Sequence, residues 1–274
     1  MDKAFLFGEK RNLVGILSEP DGENNSDKPL ILMLNAGLVH RSGPFRMNKE
    51  FSDILSTNGF SSFRFDLSGI GDSEKYPMDS MAYKDRNLSD VGEAVDFIKE
   101  KINPSKIIVM GLCTGADLAH RSAVAYDDIS GSIMLDGYGY PTKNFYIKRY
   151  VPVLFSPLRL FNYFRRFFSR LIPSNNEAQT ESGSDAYYWE LPDKQRYIDD
   201  MTSMFNNGKK HLYAYTSGVR EYYNYELQFV DTFNSYSFCP SVQVNYFEYA
   251  DHIYILLEQR NLLFNTMLDW IKKF

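Results

Sequence analysis

The chain has 274 residues, a hydrophobic content of 44% and 11 prolines. That length is enough for one large core and too short for two enzyme-sized domains, so we expect one domain with an insertion. A formal net charge of -5 disfavours a nucleic-acid partner, because domains that bind nucleic acid usually carry a basic excess. The sequence shows no apolar core of signal-peptide length, and its two cysteines lie far apart. We therefore expect a cytoplasmic protein with reduced thiols.

Strand and helix signals alternate along the chain, which predicts a mostly parallel sheet covered by helices on both faces. The predicted strands are Asn12–Ser18, Leu30–Asn35, Ser61–Asp66, Lys106–Met110, Gly131–Asp136, His211–Thr216 and Val242–Phe247. The predicted helices are Arg46–Ser56, Ser89–Ile102, Ala116–Tyr126, Tyr222–Phe233 and Ile255–Lys273. Within Ser89–Ile102, Val91, Val95 and Ile98 form an apolar stripe among charged residues.

One long stretch, residues 141–210, interrupts this alternation and predicts an inserted cap on a core of residues 1–140 and 211–274. Its first half, Tyr146–Arg170, contains six basic residues, no acidic residue and many aromatic ones. Such a face usually is an ordinary solvated surface. In an acidic chain it also suggests a peripheral contact with a membrane or with a carrier protein.

A short motif joins the strand Lys106–Met110 to the helix Ala116–Tyr126, namely Gly111-Leu112-Cys113-Thr114-Gly115. The two glycines let the helix pass close to the strand while Cys113 takes a strained backbone conformation. This turn would expose a thiol at the end of the sheet, where it can act as a nucleophile. A free thiol is only about a few per cent ionised at neutral pH, so it needs a neighbouring base.

Together with three other segments, this motif resembles the nucleophile elbow of the α/β-hydrolase superfamily, with cysteine in place of the usual serine. The other segments are Asn35–Pro44, Arg64–Ser73 and Tyr249–His252. The resemblance implies the α/β-hydrolase fold, a mostly parallel doubly wound sheet with a helical cap inserted after the sixth strand, here Gly131–Asp136. The chain is more loosely similar to small bacterial hydrolases associated with exosortase and exopolysaccharide genes. Dienelactone hydrolases and polyhydroxyalkanoate synthases resemble it in carrying cysteine at the elbow.

The resemblance also implies a base and an acid. The family order of nucleophile, acid and histidine assigns the base to His252, which follows the last predicted strand. Members usually carry the acid after the seventh strand, where this chain has Val219 and Arg220 and the first carboxylate is Glu221. Asp136, at the end of the sixth strand, is an equal alternative. A dyad without an acid is the third, because a thiolate–imidazolium pair depends less on an orienting carboxylate.

Backbone amides should stabilise the negative charge that develops on an acyl oxygen. We expect the Thr114 amide, at the start of its helix, and the Leu38 amide to form this oxyanion hole. Gly37, which is otherwise a plain turn residue, His40 in the same loop and Tyr138 are predicted to contact the substrate. The sequence shows neither a phosphate loop nor histidines at ligand spacing, so no metal and no cofactor are expected.

These features predict a cysteine-dependent acyl hydrolase or thioesterase that forms an acyl-cysteine from a small-molecule or carrier-linked ester or thioester. The alternative is an acyltransferase that passes the same acyl group to an alcohol, amine or thiol. A non-catalytic binding protein remains the third interpretation. It would be favoured if Cys113 and His252 lay too far apart for a hydrogen bond.

Overall fold

The structure, a computed structural model, describes residues 1–20, 27–75, 81–155 and 190–274, without the side chains of Val153 and Leu154. Its strands form one sheet in the order β1-β2-β4-β3-β5-β6-β7-β8. They are β1 (Asp2–Phe7), β2 (Leu13–Ser18), β3 (Leu30–Met33), β4 (Ser62–Phe65), β5 (Ile107–Leu112), β6 (Ile129–Leu135), β7 (Lys210–Thr216) and β8 (Val242–Phe247). The strands from β3 to β8 run parallel, and β2 pairs antiparallel with both β1 and β4.

Helices cover both faces of the sheet and divide the interior into two apolar clusters. On one face lie α1 (Met47–Thr57) and α7 (Leu257–Ile271). On the other lie α2 (Tyr83–Lys101), α3 (Thr114–Ala125), α5 (Lys194–Asn206) and α6 (Gln228–Phe233). The strand β5 shows the division, because Ile107 and Val109 belong to one cluster and Ile108, Met110 and Leu112 to the other. The predicted doubly wound, mostly parallel sheet is thus confirmed.

Two local predictions differ from the structure. The strand β1 was not predicted, because as an edge strand it alternates little, with most of Asp2–Phe7 exposed. The helix predicted at Tyr222–Phe233 is reduced to α6, which begins only at Gln228. The Gln228 side chain accepts from the Asn224 backbone amide and donates to the Tyr222 carbonyl, so these groups are satisfied without a helix.

The predicted cap region, residues 141–210, contains α4 (Lys143–Leu154) and α5. The residues Tyr146 to Val151 of α4 are exposed, whereas α5 buries one whole side in the main core. The end of the predicted cap is therefore part of the helical layer on the sheet. The basic residues Arg159, Arg165, Arg166 and Arg170 lie outside the described residues. Among the helices that the structure describes, none has the length and apolar character needed to span a bilayer.

Replacement of the fully buried Met201 on α5 tests its place in the core. Met201→Ala should lower the free energy of unfolding by about 2–5 kcal/mol, because it leaves a cavity among packed side chains. The matched control is Ser203→Ala on the exposed side of the same helix, which should change stability by about 0.5 kcal/mol or less. Chemical denaturation measures both, and equal effects would contradict this packing.

Candidate active site

The elbow between β5 and α3 holds Cys113 in a strained conformation with φ 59° and ψ -121°. Its amide donates to the Leu135 carbonyl at 3.0 Å, which fixes the turn to the neighbouring strand β6. A Cβ on Gly111 would lie 2.0 Å from the Gly115 carbonyl oxygen, and one on Gly115 would lie 2.4 Å from that of Asn35. The helix therefore passes so close to the strands that both positions require glycine.

His252 lies in the loop after β8, with its imidazole between two candidate residues. Its Nδ1 is 2.7 Å from the Asp136 Oδ2, and the Cys113 side chain is close enough to the ring to affect its pKa. The hydrogen bond with Asp136 and, next, the neighbouring Cys113 side chain raise the pKa of His252 to about 10, against the opposing effect of burial. Because Nδ1 is engaged by the carboxylate, Nε2 is the nitrogen that remains for the thiol.

Asp136 follows β6 with a φ of 50° and a fully buried carboxylate. Two donors of Thr216 hold this carboxylate, the amide to Oδ1 and the hydroxyl to Oδ2, each at 2.7 Å. The Asp136 backbone is held as well, because its amide donates to the Ala214 carbonyl and its carbonyl accepts from the Tyr222 hydroxyl. With His252 as the third donor, the buried charge has the partners that it needs.

Glu221, the other predicted acid, lies elsewhere. The residue is exposed, and its backbone carbonyl accepts from the Arg149 guanidinium at 2.8 Å. Asp251 directly precedes His252 in the sequence. Its carboxylate accepts hydrogen bonds from the amides of Ile253 and Ile255 in its own turn. Of the two acids predicted for the imidazole, the structure therefore brings Asp136, and not Glu221, to His252.

The segment after β7 shows why no acid faces His252 there. A Cβ on Gly218 would lie 2.5 Å from the His252 backbone nitrogen, so the two loops pass in close contact. The Ser217 hydroxyl donates to the Ala250 carbonyl at 2.9 Å and ties the same two loops together. The family's usual place for the acid is thus used here to position the histidine loop.

The loop after β3 meets the start of α3, as the predicted oxyanion hole requires. The Gly37 amide donates to the Thr114 hydroxyl at 2.8 Å, and the neighbouring Leu38 side chain is 65% exposed. The loop is held from below by the buried Asp66, whose Oδ1 accepts from the Arg41 amide at 2.6 Å. The structure therefore brings the backbone of the predicted donors, Leu38 and Thr114, into adjoining segments.

The comparisons with known proteins agree with this architecture. The sequence matches the profile of the alpha/beta hydrolase fold over residues 29–259. The chain belongs to the α/β-hydrolase fold family. No curated protein sequence matches it.

Three solved structures illustrate the shared fold. The hydrolase GrgF from Penicillium sp. sh18 is 15% identical with a TM-score of 0.60, over 100% of this chain and 98% of that one. An esterase from Pyrococcus furiosus is 16% identical with a TM-score of 0.60, over 100% and 90%. A dienelactone hydrolase from Anabaena variabilis is 12% identical with a TM-score of 0.57, over 100% and 97%. At these identities the likeness concerns the fold alone.

On this α/β-hydrolase fold, the remaining histidines have contacts of their own. Nδ1 of His40 is 3.1 Å from the Ser42 hydroxyl, and its Nε2 faces Asp66 and Asp72 at 3.7 and 3.5 Å. His120 pairs with Asp200 of α5 at 3.1 Å. Burial lowers the pKa of His211 to about 3, and its Nδ1 contacts Ser132.

Tyr138, predicted to contact the substrate, is buried, and its hydroxyl donates to Asp117.

One cluster among the described residues has the geometry to hold a metal ion, namely His40, Asp66 and Asp72. The Arg41 guanidinium already binds both carboxylates, Asp72 at 2.8 Å and Asp66 in direct contact. Because this positive charge occupies the place of a cation, the donor set does not fit a metal. Its function is to hold the loop that carries Leu38.

Two residues of the site were not predicted, Thr216 and Tyr222. Thr216 could have been found from the sheet order, because β6 and β7 pair in parallel with Leu135 opposite Ala214. Asp136, just after β6, and Thr216, at the end of β7, must therefore be neighbours. The sequence offers no comparable signal for Tyr222, whose position depends on an irregular segment.

The two candidate acids can be separated by the titration of His252. Asp136→Asn should bring the pKa of His252 from about 10 down towards the ordinary value of about 6.5, because the main cause of the shift is removed. Glu221→Gln is the matched control and should leave the pKa unchanged. NMR spectroscopy of the imidazole protons measures it, and a shift with Glu221→Gln alone would contradict the observed geometry.

The same pair makes stability depend on pH. Because the folded-state pKa of His252 exceeds its unfolded value, the stabilisation is complete below about pH 6.5 and is lost as the pH rises through about 10. The Tm of the parent should fall across this window more steeply than that of Asp136→Asn. Parallel curves in thermal unfolding would show that the pair contributes no pH-dependent stability.

Proposed function

We propose that this chain is a cysteine-dependent acyl hydrolase that acts on an ester or thioester through an acyl-cysteine at Cys113. The proposal rests on the hydrogen bond between His252 and the buried Asp136, with Cys113 close to the same imidazole. This arrangement combines a nucleophile on a strained elbow, a base and a buried carboxylate that orients the base.

In the first half of the proposed reaction, the thiol proton resides on His252 Nε2, as the raised pKa of this imidazole favours, and the sulfur attacks the acyl carbon as a thiolate. The oxygen of the tetrahedral intermediate becomes negative, and the amides of Thr114 and Leu38 are the proposed donors to it. The dipole of α3 favours the same charge. His252 then gives its proton to the leaving oxygen or sulfur, and the acyl group remains on Cys113.

In the second half, water replaces the leaving group. His252 Nε2 takes a proton from the water, whose oxygen attacks the thioester carbon. The carbon–sulfur bond then breaks, which releases the acid and restores the thiolate beside the imidazolium. Asp136 keeps the imidazole in the tautomer with Nδ1–H and stabilises the imidazolium that forms in each half.

Acyl transfer is the second candidate, and the identity of the nucleophile favours it. Because the intermediate would be a thioester, an alcohol, amine or thiol bound beside it could intercept the acyl group before water. The chemistry at Cys113, His252 and Asp136 is the same in both reactions. The two functions therefore differ only in which acceptor the site binds.

Intact-mass spectrometry tests the proposed intermediate directly. Incubation with a panel of acyl thioesters and activated esters should add one acyl mass, which peptide mapping places on Cys113. Cys113→Ala should abolish both the adduct and turnover, and Cys239→Ala, a change at the half-buried second cysteine, should preserve them. Cys113→Ser should turn over poorly, since a hydroxyl has a much higher pKa than a thiol.

The same assay distinguishes the candidate functions. His252→Ala should lose about as much turnover as Cys113→Ala, because such groups act as a unit. An acceptor that shortens the life of the adduct and appears in the product identifies transfer. Turnover that survives in Cys113→Ala would refute the nucleophile.

A further inference from the structure

A groove of about 480 Å³ opens between α4 and the carboxyl ends of β7 and β8. Three segments that are distant in sequence form it, the helix α4, the turn after β7 and the end of β8. The lining residues that matter here are Lys148, Arg149, Arg220, Glu221, Tyr246 and Glu248. A volume of this size lies within the range of sites for small molecules and cofactors.

Within the part of the chain that the structure describes, the three cations of this groove have no carboxylate partner. No ion pair among the residues that the structure describes involves Lys148, Arg149 or Arg220, although Glu221 and Glu248 line the same groove. Three basic side chains in one groove without such partners attract an anion. They form a local positive patch on a chain whose net charge is -5.

Neutral contacts hold two of these cations in place. The Arg149 guanidinium donates to the Glu221 carbonyl at 2.8 Å and lies 5.7 Å from the Phe145 ring centre. The Lys148 ammonium lies 5.7 Å from the Tyr225 ring centre. Burial raises the pKa of Tyr246, and the nearby Arg220 opposes this shift. A guanidinium has five N–H donors, so these contacts leave several of them free for a ligand. The Arg149 and Lys148 side chains are therefore positioned before an anion binds, which reduces the entropy that binding costs.

The groove adjoins the candidate active site. Glu221 in its wall is followed by Tyr222, whose hydroxyl donates to the Asp136 carbonyl at 2.9 Å. A substrate with its acyl group on Cys113 can therefore extend its other end into the groove.

We propose that this groove binds the phosphate groups of a thioester donor whose thiol portion is a nucleotide, as in coenzyme A. This inference rests on the proposed function and specifies its substrate. Phosphate oxygens match the paired N–H donors of the two arginines, and Lys148 adds a point charge. The thiol portion of such a donor is flexible, and it links the phosphates to the reacting carbonyl.

The kinetic test compares two donors that share one acyl group. In the variant Arg149→Gln/Arg220→Gln, KM for the coenzyme A thioester should rise by about tenfold or more, because charge-assisted hydrogen bonds are lost. KM for the N-acetylcysteamine thioester, which has no phosphate, should stay within about twofold. Arg149→Lys/Arg220→Lys keeps the charges and should retain much of the affinity. The matched control is Lys272→Gln/Lys273→Gln at the exposed end of the chain.

An equal loss on both donors, or none on either, would overturn this inference while leaving the acyl-cysteine intact. Impaired use of a carrier-protein thioester with unchanged use of the coenzyme A thioester would overturn the choice of donor. Thermal unfolding of each variant checks that the fold is preserved.

A binding experiment is independent of the chemistry. Cys113→Ala should bind coenzyme A at least about tenfold more tightly than pantetheine, which lacks the phosphates, when measured by calorimetry. The added Arg149→Gln/Arg220→Gln changes should abolish that difference. Equal binding of the two ligands, or binding of inorganic pyrophosphate as tight as that of coenzyme A, would overturn the inference. If no donor acylates Cys113 in the parent, the proposed function fails, whereas the groove is judged by this titration alone.

Discussion

The buried carboxylate of Asp136 is the group on which the arrangement of the candidate site depends. An ionised carboxylate in the interior is stable only with several donors, and this one has the amide and hydroxyl of Thr216 and the imidazole of His252. Two of those donors come from the end of β7 and the third from the loop after β8. The carboxylate therefore joins three parallel strands at their carboxyl ends and fixes the position of the base.

The local strain follows the same geometry. Cys113 and Asp136 both have positive φ and follow the adjacent strands β5 and β6. Side chains at such positions turn away from the strand direction, towards the space above the sheet. Strain of this kind costs about 1–3 kcal/mol per residue and is retained where the surrounding structure enforces it. Here two backbone hydrogen bonds enforce it. The Cys113 amide donates to the Leu135 carbonyl, and the Asp136 amide donates to the Ala214 carbonyl.

Sequence patterns predicted the parts of this protein that have a regular period or a fixed spacing. The strands from β2 to β8 and the elbow glycines were found because apolar runs and Gly-x-Cys-x-Gly are local signals. The choice between Asp136 and Glu221 could not be made, because it depends on which loop faces the histidine. The close contact of Gly218 with His252, which excludes a side chain there, is visible only in three dimensions. The exposed edge strand β1 and the irregular segment before α6 were not predicted, because neither shows a regular hydrophobic period.

The central claim is that Asp136 and His252 together activate Cys113, and the rate of alkylation at this thiol tests it most directly. Iodoacetamide at pH 7, followed by peptide mapping, reports Cys113 and Cys239 in one sample, so Cys239 serves as the internal reference. Cys113 should react about tenfold faster or more in the parent than in His252→Ala, with Asp136→Asn between the two. Equal rates at Cys113 in all three proteins would contradict it.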